Sequence, residues 1–314
     1  MLKTLIILFI SINIFAYEDL EPTKVFTASG NVQSMVIKTN KLYAGTDNGT
    51  VEIFDTDTNK KINTIKIPDI KDFMGDVISS KIYSIDLLND KLLIVSQGMQ
   101  GYGNIFIYEN NKLNKIIGID KKYFIQKASF VDDKKIVFAL LSNQVGVYDY
   151  KTKKLDYLVQ VSPSSFSHFM ISEDKKSIAT TDESGIVRII EISSAQVLKQ
   201  LEALNLDRVY QLDYKNGVIL TAGQDRKSVV YKEHSSSFLD FDFLLYSCGL
   251  SPKAKLGAIA YNEKNEVLVF DVDSKRKLYN LVGQKATLTQ ILFKNENEVF
   301  TSSEDPNINY FKLH

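Results

Sequence analysis

The chain has 314 residues, and Lys plus Arg balances Asp plus Glu at 38 each, so no global field exists to attract nucleic acid or an anionic membrane surface. A single cysteine, Cys248, excludes an intramolecular disulfide, so a chain of this length must be held by its apolar core.

The first sixteen residues read as a cleaved secretory leader. Met1-Leu2-Lys3 carries one positive charge, Leu5 to Phe15 is almost wholly apolar, and Ala16 supplies a small residue before Tyr17. The apolar run is shorter than the about 20 residues that span a bilayer comfortably. The expected product starts near Tyr17 as a soluble exported protein, with no stable membrane insertion. An uncleaved anchor is the alternative, since Ile14 is bulkier than the usual alanine three before the cut.

Beyond the leader the chain repeats at a period of roughly 40 residues, the length of a propeller blade. The first unit reads Val32 to Ile37, Lys41 to Thr46, the turn Asp47-Asn48-Gly49, Thr50 to Asp55 and Lys61 to Ile67. Alternation in Thr50 to Phe54 places Val51 and Ile53 on one face and Glu52 and Phe54 on the other, the period of a strand. The end of the third strand recurs at Phe54, Tyr108, Tyr148, Ile190, Tyr231, Phe270 and Phe311, with about a dozen extra residues in the first gap. The reading is an all-β, seven-bladed propeller spanning 17–314, with blades near 32–67, 83–119, 125–161, 166–203, 209–242, 245–283 and 288–314. The seventh unit stops after its third strand, and residues 24–28 belong to no unit. They are predicted to close the last blade and remove its exposed edge. Two β-sandwiches also accommodate many short strands, but not this arithmetic. Ala195 to Leu206 has local helical propensity where the fourth strand of unit four belongs.

An acidic residue follows the aromatic at Asp55, Glu109, Asp149 and Asp271, where WD40 repeats carry their Trp-Asp pair. Asp47, Asp182, Asp225 and Asp305 sit in the tight turn before the third strand, again as in that family. The chain therefore resembles a WD40 protein with Phe or Tyr in place of Trp. It has no Trp and no Gly-His pair, so the His–Ser/Thr–Asp–Trp hydrogen-bond network of well-formed WD40 blades is not expected, and apolar packing between sheets should hold them.

Signatures of chemistry are sparse. His168, His234 and His314 fall in different units with no metal-ligand spacing, and the paired aspartates at strand ends lack the Gly and Glu of a calcium loop. There is no nucleophile elbow, no haem attachment sequence and no phosphate loop leading into a helix, so no cofactor is expected. Cys248 reads as a buried structural thiol, and His168 either as a satisfied structural histidine or as facing the central channel. Two insertions stand out, Pro68 to Ile82 and Gly98 to Gly103. Both links emerge on one face of the disc, which predicts that Phe73, Met74, Met99 and Tyr102 gather there as a protein-docking patch on a monomer.

The stretch Phe26 to Asp55, with the leader and the seven units, resembles the WD40-like accessory proteins encoded with periplasmic nitrate reductase in epsilon-class proteobacteria, the NapL type. The resemblance implies a non-catalytic periplasmic scaffold that assists assembly or activity of that enzyme by contacting it or its electron-transfer partners. The alternatives are another envelope-protein scaffold and a propeller lactonase or lyase.

Overall fold

The structure is a computed structural model in which residues 17–314 are described; the expected leader lies outside them. Seven sheets form the blades, antiparallel but for one added strand, and a small two-stranded sheet stands apart from them. The innermost strands are Val32–Lys38, Ile82–Leu88, Ile125–Phe130, Phe166–Ile171, Val209–Lys215, Cys248–Leu250 and Leu288–Asn295. Each touches the next, and the seventh touches the first, so the ring is closed.

Closure uses the leftover N-terminal segment. Lys24–Thr27 pairs antiparallel with the third strand of blade seven, Asn307–Lys312, so that Phe26 faces Ile308. The sequence did not announce a second N-terminal strand, Glu18–Leu20, which runs parallel to Lys277–Leu281 as a fifth strand of blade six. Three residues are too few to show a period. What seats this strand is burial of Leu20 in the core and a bond from Asn280 Nδ2 to Asp19 at 2.9 Å. The segment with helical propensity is strand at Val197–Leu201, because the sheet leaves it an edge to pair with.

Seven apolar clusters fill the seams, one between each pair of neighbouring blades. Phe54 of blade one shares a cluster with Phe300 of blade seven, and Leu220 of blade five with Phe270 of blade six. Each blade is covered on both faces, which is why Val51 to Phe54 are all buried despite their alternation. Of the aromatics predicted at the third-strand ends, Phe54, Tyr148, Tyr231, Phe270 and Phe311 are buried and Tyr108 is half-buried. Burying a side chain of this size is worth about 2–3 kcal/mol.

Apolar packing is not the whole account. In blade five Thr221 donates from Oγ1 to Oδ1 of Asn205 at 3.1 Å, and the Tyr231 hydroxyl donates to the same oxygen at 3.3 Å. Asp225 in the tight turn accepts from the Leu206 amide at 2.7 Å. Asn205, Thr221 and Tyr231 thus form a small polar cluster, while Asp225 reaches only main-chain amides and Nδ2 of Asn205 has no partner among the described residues. This cluster supplements the apolar packing that the sequence expects to hold the blades together. Gln284, donating to Thr301 at 3.2 Å, occupies the equivalent position in blade seven.

Candidate functional site

The central channel is a cavity of about 780 Å³ walled by the inner strands. Successive inner strands are stitched by a repeated bond in which the third residue of one accepts from a main-chain amide of the next. Ser34 accepts from Ile85 at 3.2 Å, Ser84 from Ala128 at 3.4 Å, His168 Nδ1 from Leu212 at 3.4 Å, Gln211 from Cys248 at 3.1 Å, and Gln290 from Met35 at 2.6 Å. Two carboxylates repeat the pattern lower in the channel, Asp86 accepting from Phe130 at 2.7 Å and Asp213 from Leu250 at 2.8 Å.

Two seams break the pattern. Between blades six and seven the backbones themselves approach, since a Cβ on Gly249 would stand 2.6 Å from the carbonyl oxygen of Ile291. Between blades three and four the stitching position is Lys127, whose ammonium has no lone pair to accept with. Its Nζ lies 2.6 Å from Nε2 of His168, 3.7 Å from the sulfur of Met170 and 5.8 Å from the ring centre of Phe169. Among the described residues Lys127 makes no ion pair.

Burial sets the electrostatics of this wall. It lowers the Lys127 ammonium to about 8, against the opposing pull of Asp86 and Asp213. It also holds His168 well below the ordinary histidine range, helped by the charge of Lys127, and so keeps the imidazole neutral. Asp86 is raised by burial, with Lys175 and the amides of Phe130 and Leu87 working the other way. Cys248 is buried, its thiol pushed well up by burial and then by Asp213, which leaves it inert. His168 combines the two roles that the sequence left open, hydrogen-bonded and facing the channel. Lys127 was missed, and the signal was available: it is the one cation at a position where the aligned units carry Ser, His or Gln.

The insertions behave differently from one another. Ile70–Lys71 pairs with Val77–Ile78 to form a small hairpin. Asp72 fixes its tip by accepting from the amides of Met74 at 2.8 Å and Asp76 at 2.9 Å, and Gly75 takes the left-handed φ of 92° that the turn needs. Phe73 and Met74 project from the tip, 84% and 87% exposed. Exposure that complete means that they pack against neither Met99 nor Tyr102. Gly98 to Gly103 instead folds over a short 3₁₀ turn, Met99–Gly101, and the Tyr102 ring rests on Phe124 at 4.8 Å between centroids. Phe73 and Met74 thus stand at a projecting tip, Met99 is exposed in the 3₁₀ turn, and Tyr102 is paired with Phe124.

The repeated aspartates have local structural work. Asp55, Asp149 and Asp271 accept from amides two or three residues on and close the turn into the outer strand. Asp47 accepts from the Asn31 amide at 2.9 Å and Asp305 from Asn307 at 2.8 Å. Asp182 accepts from Ser184 within its own turn and also from Arg188.

No protein-family model matches the chain, and no curated protein matches it. Among solved structures, it is similar to the β-propeller domain of Cps50 (Swd1) from Myceliophteria thermophila, with a TM-score of 0.76 over 93% of this chain and 99% of that one. The two sequences are 14% identical, so the likeness establishes the WD40-like seven-bladed propeller fold alone.

Proposed function

We propose that the chain is an exported, non-catalytic scaffold that grips a partner protein with the hairpin of residues 70–78, and that it serves the assembly or activity of periplasmic nitrate reductase by contact with that enzyme or its electron-transfer partners. The observation that carries docking is the hairpin tip: two large apolar side chains, Phe73 and Met74, held outward in water by a turn that Asp72 has rigidified. Exposed apolar side chains on a pre-ordered turn are suited to entering a partner's pocket at little conformational cost. The balanced net charge supports a protein partner over nucleic acid. The nitrate reductase assignment rests on the resemblance of Phe26 to Asp55 and on the leader.

The test has two arms. Nitrate reductase activity and molybdenum content are measured in periplasm from cells with and without the gene, and unchanged values in the deletion strain reject the assignment. Capture of nitrate reductase components by the tagged protein is then compared with capture by the Phe73→Ser/Met74→Ser double variant. Equal capture rejects the hairpin as the docking element.

A further inference from the structure

Lys127 is the point at which the propeller departs from its own rule. At the third position of the inner strand the structure uses acceptors to stitch blades together, and blade three puts there a side chain that can only donate when charged. Local violations of a pattern that the rest of a fold obeys mark functional positions. The amine stands on the wall of a cavity of about 780 Å³, open to small molecules, with no carboxylate in contact to hold its proton. Its immediate neighbours are a neutral imidazole, a thioether and a phenyl ring.

We infer that Lys127 is a reactive amine that captures small aldehydes in the channel as a Schiff base, with His168, whose Nδ1 is taken by the Leu212 amide, turning its Nε2–H toward the free amine. This inference is independent of the docking hairpin. The free amine attacks the carbonyl carbon, a C–N bond forms and the carbonyl π pair moves to oxygen. One proton passes through water from the nitrogen to the alkoxide to give a carbinolamine. Loss of the second nitrogen proton with the C–O bond completes the imine. Both amine protons leave in one water molecule. Lys81, Lys175, Lys215 and Lys294 line the same cavity against Asp86, Glu173 and Asp213, and with Lys127 the cations outnumber the carboxylates, which favours an aldehyde carrying a carboxylate.

The charged and titratable groups that line the cavity with the amine are Lys81, Tyr83 and Asp86 of blade two, His168, Glu173 and Lys175 of blade four, Asp213 and Lys215 of blade five, Cys248 of blade six and Lys294 of blade seven, of which Asp86 and Asp213 pull the amine's proton on. Burial outweighs the two carboxylates, and an ammonium at about 8 instead of the ordinary 10.5 has a far larger free-amine fraction at neutral pH.

The whole protein is incubated with glyoxylate and cyanoborohydride at pH 7, and carboxymethyl-lysine is quantified by peptide mass spectrometry. Lys127 is expected to be labelled at least about 10-fold faster than the exposed lysines Lys60, Lys112 and Lys154 of the same molecules, with a pH midpoint near 8. His168→Gln, whose amide oxygen can accept from the ammonium and hold its proton, is expected to slow the labelling of Lys127 and leave the exposed lysines unchanged. The comparison within one wild-type sample needs no folded variant. Labelling of Lys127 no faster than that of the exposed lysines overturns the proposal. Thermal stabilisation by glyoxylate and acetate alike, without adduct, overturns it in favour of a non-covalent anion site.

Discussion

Arg188 donates from Nη1 to Oδ2 of Asp182 at 2.7 Å, and both side chains are buried in blade four. The same carboxylate oxygen accepts from Nδ2 of Asn143 at 3.0 Å, so the pair ties blade four to blade three at the seam next to Lys127. Removing one partner of a buried ion pair strands the other's charge. Arg188→Leu is therefore expected to lower unfolding free energy by about 3–5 kcal/mol, read in urea titrations. Arg188→Leu combined with Asp182→Asn should cost less than the single change, and a larger loss in the double variant would show that packing and not the stranded charge decides.

Phe26 carries ring closure. Its ring lies 5.8 Å from that of Phe54 and 6.0 Å from that of Phe300, joining the N-terminal strand to blades one and seven. Phe26→Ala should cost about 3–5 kcal/mol. It should also raise hydrogen exchange first in Asn307–Lys312, the strand that would lose its partner. Uniform exchange across all blades would mean that the N-terminal strand is not the weak point of closure.

At Gly249 the constraint is main chain against main chain. A methyl group there would meet the Ile291 carbonyl oxygen at 2.6 Å, and no flexible side chain can yield. Gly249→Ala is expected to destabilise by about 1–3 kcal/mol. A melting temperature equal to wild type would mean that blades six and seven can move apart without loss.

The blade count and the closing strand were legible because repetition averages out local ambiguity. Phe54, Tyr108, Tyr148, Tyr231, Phe270 and Phe311 mark the same place six times over, whatever any single strand suggests. The parallel strand Glu18–Leu20 was not legible, because nothing repeats it. The blade-five cluster was hidden for a different reason: Asn205 and Tyr231 meet over Thr221, and neither is a residue type by which a WD40 blade is read. In the channel, His168 was noticed as a residue type, whereas Lys127 becomes conspicuous only when the inner strands are aligned on a hydrogen-bond position.

The channel predicts a pH dependence with a defined sign. Lys127 is lowered from 10.5 to about 8 on folding, so between those values the unfolded chain binds more protons and stability rises with pH. Below about pH 8 the full penalty is present. Lys127→Met is thus expected to be more stable than wild type at pH 7, by on the order of 1–3 kcal/mol, with the gap closing as pH rises through 8 to 10.5. His168, also lowered on folding, adds a loss that begins as pH falls below about 6.5 and is absent in His168→Gln. Melting temperatures of the three proteins across pH 5 to 10 test both; a Lys127→Met gap independent of pH would assign its effect to packing.

The hairpin separates function from stability. Phe73 and Met74 are so exposed that changing both to serine removes almost no buried surface, and the turn is held by Asp72 and Gly75, which remain. Phe73→Ser/Met74→Ser should leave the melting temperature within about 1 °C of wild type while reducing partner capture at least about 10-fold, as expected for loss of an apolar anchor. Asp72→Ala should act in the opposite order, keeping both apolar side chains but freeing the tip, so that capture weakens through ordering cost alone. If the serine variant loses capture and Asp72→Ala does not, contact without preorganisation suffices; if the serine variant captures as wild type does, the partner is gripped elsewhere, with the Tyr102–Phe124 pair the next surface to change.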